Sequence, residues 1–247
     1  IGSGYSQIIS PSIPYKINCK NLVYGNEIYK KFLNYRPQIA LINEQAFSNS
    51  LIRIYKKFFK AIIIDHLNHP YFESDNQEPQ ILTDNCNNKI PVIWSNSISF
   101  QRFQRYIFGD IKFEDYLEYF NNYKKNFFCL YSSDVEIFDF RPKGTKSERP
   151  LSNGEWIKIR NLYEYLIQNK KVSFIFFRDI LKKINKKNII NVTSIVNPTI
   201  VKKQKKYNIN RWLVAGKNNL ELNTLCFNAY NSIKNQKKSK KNLIRLC

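Results

Sequence analysis

Short apolar runs alternating with amphipathic segments set the limits on how this chain can fold. Residues 38–42, 61–64, 91–94, 127–130 and 173–176 each read as a strand. Helices are predicted at 21–34, 50–60, 99–106, 113–124, 155–168 and 178–185, where apolar residues recur at helical spacing. Arg36-Pro37 ends the first of these helices, because proline removes a backbone donor and clashes with the preceding turn. A repeated strand-loop-helix order predicts a parallel sheet, open or closed into a barrel, with helices covering it. The polar, Asn-rich stretch 67–89 is too long for a simple connector. Residues 188–207 show no periodicity and read as a linker, followed by a helix at 218–233.

A carboxylate follows each of two predicted strands, 38–42 and 127–130. Asn43-Glu44 follows the strand 38–42, and Asp134 stands just beyond 127–130, within Tyr131-Ser132-Ser133-Asp134-Val135-Glu136-Ile137-Phe138-Asp139. The C-terminal ends of parallel strands are where α/β enzymes keep their chemistry, so Glu44 and Asp134 form a candidate pair. A structural reading stands beside it, with Asp134 as a helix N-cap and Glu44 as a solvated side chain. Glu44 has no acidic neighbour between Glu27 and Asp65, so nothing local opposes its ionisation. Asp134 has Glu136 and Asp139 close by, and clustered acids tend to keep one member protonated. Glu136 is a candidate to hydrogen-bond ligand hydroxyls or to orient Asp134. Tyr5, Trp94 and Trp212 are candidate stacking platforms, with a core position as the alternative for each.

The net charge of +21 is high enough to raise nucleic acid as a partner, yet Lys is spread through nearly every segment and the dense basic run is confined to the tail around 234–241. No zinc-finger spacing and no RNP-like aromatic motif is present, which argues against nucleic acid. No apolar run approaches the roughly 20 residues of a membrane span, so no membrane partner is expected. Five cysteines in a scattered, odd-numbered set fit reduced thiols and a cytoplasmic location better than a disulfide framework.

Five stretches resemble glycoside hydrolase family 57, and most closely its α-amylase and amylopullulanase-like members. They are Gly2-Ser3-Gly4-Tyr5-Ser6-Gln7 with Ile13-Pro14-Tyr15, then Asn43-Glu44-Gln45-Ala46-Phe47-Ser48, Phe100-Gln101-Arg102-Phe103-Gln104-Arg105-Tyr106, residues 131–139, and residues 207–224 with Arg211-Trp212 and Leu222-Asn223-Thr224. The resemblance implies a retaining glycosidase on α-glucans, without a cofactor, in which Glu44 is the nucleophile and Asp134 the acid/base. It also implies an α/β fold, an incomplete (β/α)7 barrel followed by helices, with residues 1–187 as a partial barrel and 188–247 as linker and helical segment. The family's His-containing first motif and an acidic residue are expected ahead of Ile1, so the opening strands are expected to be missing and the chain to be N-terminally truncated. Retention sets the two carboxyl groups roughly 5 to 5.5 Å apart. The helical segment is expected to fold back over the sheet and bring Arg211 or Trp212 toward the cleft.

Three alternatives remain open on the same residues. A 4-α-glucanotransferase would use the same pair with a glucan acceptor. Asp65-His66-x-x-His69 carries metal-ligand residue types, which raises a metal-dependent polysaccharide deacetylase, although all three lie on one loop beside Pro70. The third alternative is an inactive glucan-binding fragment.

Overall fold

The computed structural model describes residues 1–70, 77–123, 138–139, 154–169, 172–191 and 208–234. Its centre is a mixed five-stranded sheet of β1 (Ile39–Leu41), β2 (Ala61–Asp65), β3 (Gln80–Thr83), β4 (Lys89–Ser95) and β5 (Ile189–Asn191), in the order β1-β2-β4-β3-β5. β1, β2 and β4 run parallel, with Ala40 beside Ile62 and Ile62 beside Val92. All five residues of β2 are buried. That explains the unbroken apolar run Ala61-Ile62-Ile63-Ile64, since a central parallel strand has no wet face.

Each face of the sheet carries its own core. Ala40, Ile42, Ile62, Ile64, Val92 and Trp94 join Leu22 of α1 (Tyr15–Leu33) and Ile52, Ile54 and Tyr55 of α2 (Ile52–Tyr55). The alternate residues Ile39, Ala61, Ile63 and Ile93 pack against Ile180 of α6 (Phe177–Lys183). A third cluster lies among the helices α3 (Ser97–Ile107), α4 (Phe113–Asn122) and α5 (Glu155–Gln168), where Phe100, Phe103, Tyr116, Leu162 and Phe138 are buried together.

Departures from the expected elements have local causes. The polar stretch 67–89 contains β3, which pairs antiparallel with β4. β3 alternates buried and half-exposed positions, and its buried Gln80 hides it from a hydrophobicity pattern. The turn between them is built by Asp84, whose Oδ1 accepts from the Cys86 and Asn88 backbone N–H at 2.9 and 2.8 Å. β5, inside the expected linker, pairs parallel with β3 on the sheet's edge, so the sheet reaches beyond the expected boundary at residue 187. The expected strand at 173–176 shows no sheet pairing among the described residues, with Phe174 and Phe176 more than half exposed. The expected strand at 127–130 lies outside the described residues. Beyond the sheet, α7 (Asn210–Leu213) precedes α8 (Asn219–Lys234), and α8 buries none of its residues. Among the described residues, no helix is long and apolar enough to cross a membrane.

The N-terminal segment is tied to both β1 and α1. Gly2 forms a parallel bridge to Ala40, donating to the Ile39 carbonyl and accepting from the Leu41 N–H, each at 2.9 Å. The backbone of residues 3–5 then crosses α1 at Gly25, where an added Cβ would stand 2.9 Å from Gly4 C, Ser3 O and Tyr5 N. Only a glycine permits that approach. Alanine is the better helix former by about 1 kcal/mol, so intrinsic propensity alone predicts that Gly25→Ala stabilises the fold. We expect the reverse: contact with rigid backbone should lower stability by about 1–3 kcal/mol, read as a reduced Tm in thermal unfolding.

Candidate active site

Because β1, β2 and β4 share one direction, their C-terminal ends bring Glu44, Asp65 and Ser95 to the same edge of the sheet. The chain leaves β1 through a 3-10 turn, Asn43–Gln45, in which Glu44 has φ 52° and ψ 16° and Gln45 has φ 60°. Left-handed backbone costs a non-glycine residue roughly 1–2 kcal/mol. Two in succession persist only where their surroundings enforce them. Here the Ile42 N–H donates to the Ile63 carbonyl at 3.1 Å, which carries the β1–β2 pairing up to the turn. The Gln45 and Ala46 N–H groups close it onto Ile42 O and Asn43 O, each at 3.1 Å, and Asn68 Nδ2 donates to Gln45 O at 3.1 Å. Glu44 itself is half-buried, and its Oε1 accepts from Gln7 Nε2 at 3.0 Å.

Asp65 ends β2 and is 1% exposed. Its Oδ1 accepts from the Leu67 N–H and its Oδ2 from the Ser97 N–H, both at 2.9 Å, and the Ser97 hydroxyl donates to Oδ2 as well. The carboxylate therefore pins the first residue of α3 to the end of β2. Burial pushes its carboxyl up to about 6, while the hydrogen bonds from Leu67 and Ser97 pull in the opposite direction.

Beside it lies a buried aromatic and amide cluster. Trp94 Nε1 donates to Gln80 Oε1 at 2.8 Å, and Gln80 Nε2 donates to Asn188 Oδ1 at 2.9 Å. The indole can only donate, so Gln80 Oε1 is an acceptor, and His69 Nε2, 2.9 Å from the same oxygen, must carry a proton. The His66 and His69 rings stand 5.9 and 5.0 Å from Trp94, centroid to centroid.

This geometry redistributes the expected site residues. Trp94 is 2% exposed, with its indole held inside the cluster, so the expected stacking platform is corrected to a packing residue. Tyr5 is 62% exposed and packs edge-on to Tyr24 at 6.2 Å. Asp134 and Glu136 lie outside the described residues, as do the side chains of Arg211 and Trp212 on α7. The metal reading of Asp65, His66 and His69 gains no support. Among the described residues no cluster of three His, Cys, Asp or Glu is arranged to hold a metal, Asp65 is engaged by Leu67 and Ser97, and the proton on His69 Nε2 blocks that nitrogen as a ligand. Gln7, Gln80 and Ser97 carried no signal of their own in the sequence; of these, Gln7 alone fell inside a stretch singled out for resemblance.

The model of Glycosyl hydrolase family 57 matches residues 1–193. The chain belongs to this family. Among solved structures, it resembles a 4-alpha-glucanotransferase from Thermococcus litoralis with a TM-score of 0.60 at 13% identity, covering 99% of this chain and 34% of that one. It also resembles an exo-type maltose-forming amylase from Pyrococcus sp. ST04 with a TM-score of 0.64 at 10% identity, covering 94% of this chain and 44% of that one. At such identities the likeness establishes the fold, a mixed α/β sheet with helices similar to the (β/α)7 barrel of family 57, and the sheet is not closed among the described residues. The chain spans less than half the length of either protein. No curated protein sequence matches it.

Two outcomes follow for this family 57 edge. A glycine at position 44 relieves left-handed strain, so Glu44→Gly should raise stability by about 1 kcal/mol, and Tm by roughly 2–4 °C for a chain of this size. Asp65 binds its proton more tightly folded than unfolded, so its contribution to stability is complete below about pH 4 and is lost as pH rises through about 6. A two-unit shift amounts to roughly 3 kcal/mol. Chemical denaturation of the native chain and of Asp65→Asn between pH 4 and pH 7 should show the stability difference moving by that order, against the native chain at the upper end.

Proposed function

We propose that this edge carries the nucleophile of a retaining glycosidase acting on α-glucans, with Glu44 as the nucleophile and Asp134 as the acid/base. The supporting observation is the Glu44 turn: a carboxylate at the C-terminal end of a parallel strand, on backbone that costs stability and is held in place from three sides. Family membership supports the substrate class, and Tyr5 offers an exposed ring to a sugar face.

In the reaction a Glu44 oxygen attacks the anomeric carbon while the bond from that carbon to the glycosidic oxygen breaks, and Asp134 gives its proton to the departing oxygen. Asp134 then takes a proton from water, the resulting hydroxide oxygen bonds the anomeric carbon, and the Glu44 ester bond breaks. Net retention follows from two inversions. Transfer to a second glucan hydroxyl in place of water is the glucanotransferase variant of the same cycle, and the fold neighbours include one protein named for each outcome. Tyr5, Glu136, Arg211 and Trp212 are proposed to bind the glucan.

Substitution separates the two carboxylates. Glu44→Gln should lower turnover of an aryl α-glucoside at least 10³-fold, since an amide does not form the ester. Asp134→Asn should slow both steps, and azide should restore the second, because azide needs no general base. Near-normal turnover by Glu44→Gln would remove Glu44 from this role.

A further inference from the structure

We propose that Gln7 is the positioning residue of the Glu44 carboxylate, which makes the segment Gly2-Ser3-Gly4-Tyr5-Ser6-Gln7 part of the catalytic edge; this rests on Glu44 acting as the nucleophile. Gln7 belongs to no helix or strand, yet its Nε2 reaches Glu44 Oε1 at 3.0 Å across 37 positions of sequence. Its placement is built by α1. The Tyr5 N–H donates to Asn21 O at 3.0 Å, and the Asn21 side chain closes a two-way clasp on Ser6, accepting from its N–H at 2.7 Å and donating to its carbonyl at 3.1 Å. One turn further along α1, Gly25 admits the segment's backbone to contact distance. On the other side Asn43 Nδ2, next to Glu44, reaches Ser6 O at 3.5 Å. Gln7 is thus presented to Glu44 from a clamped backbone.

The choice of a primary amide fits a nucleophile. A lysine or arginine at the same place would neutralise the carboxylate and weaken its attack, whereas a neutral N–H orients it and leaves its charge intact. The held oxygen, Oε1, becomes the carbonyl oxygen of the glycosyl ester, where the same N–H still has an acceptor. Oε2 is then the oxygen that bonds the anomeric carbon. Because this donor acts on the reacting group, its loss should appear in kcat and leave substrate binding in place.

The test uses the full 247-residue chain with α-glucosyl fluoride as the probe and fluoride release as the readout. Gln7→Met keeps the length and removes the donor, and should lower kcat about 10-fold, the worth of one hydrogen bond. Gln7→Glu keeps the shape and sets a like charge against Glu44, and should lower kcat about 100-fold. In both, KM should stay within about threefold and Tm within about 1 °C, since an exposed hydrogen bond adds little to stability. Wild-type kcat in both variants, with Glu44→Ala inactive, overturns the role of Gln7 alone. A change confined to KM makes Gln7 a substrate contact and overturns it, and a fall in kcat that tracks a fall in Tm reduces Gln7 to a structural residue. Failure of the unmodified chain to release fluoride, or full activity in Glu44→Ala, overturns the reading of Glu44 and the role of Gln7 together.

Discussion

Parallel pairing of β1, β2 and β4 is the constraint on which the rest depends. It fixes one direction for three chain segments, and so gathers three strand ends at one edge. The pairing is enforced from both sides of the sheet, because even-numbered residues such as Ile62 and Ile64 bury against α1 and α2 while Ala61 and Ile63 bury against α6. A slip of one residue would exchange these two sets, each already packed against its own helices. With the register fixed, the exits at Glu44, Asp65 and Ser95 are fixed with it. Glu44 can then occupy a backbone conformation that a loosely held loop would abandon.

The polar groups at this edge explain how its pieces stay together. Asp65 joins the end of β2 to the start of α3, with Leu67 and Ser97 as donors. Gln80 joins β3 to β4 and, through Asn188, to the approach to β5. Such contacts are strong inside a protein because water does not compete for them, and costly to break for the same reason. They tie the antiparallel edge of the sheet to the parallel part that carries Glu44.

The sequence showed the repeating units well and the edges poorly. The helices at 155–168 and 113–122 and the strand at 61–64 were legible because their apolar spacing reflects burial directly. β3 and β5 were not, since Gln80 is buried through hydrogen bonds to Trp94 and Asn188, and β5 has two exposed residues among three. The aromatic run 173–176 misled in the opposite sense: it has the composition of a strand and no sheet partner among the described residues. Glu44 was legible as a strand-end carboxylate. Its left-handed turn was not, because no glycine marks it, and Gln7 was not, because the contact with Glu44 depends on how Asn21 and Gly25 seat the segment. Trp94 was open to two readings, stacking platform or core residue, and its indole N–H found a partner inside the core.

Glu44 as a nucleophile on strained backbone is the claim at the centre of this account. Incubation of the chain with 5-fluoro-α-glucosyl fluoride, which slows ester hydrolysis more than ester formation, followed by proteolysis and mass mapping, tests it directly. One covalent fluoroglucosyl group is expected, on the peptide that contains Glu44. A label on a different carboxylate, or an adduct that still forms in Glu44→Gln, would contradict it.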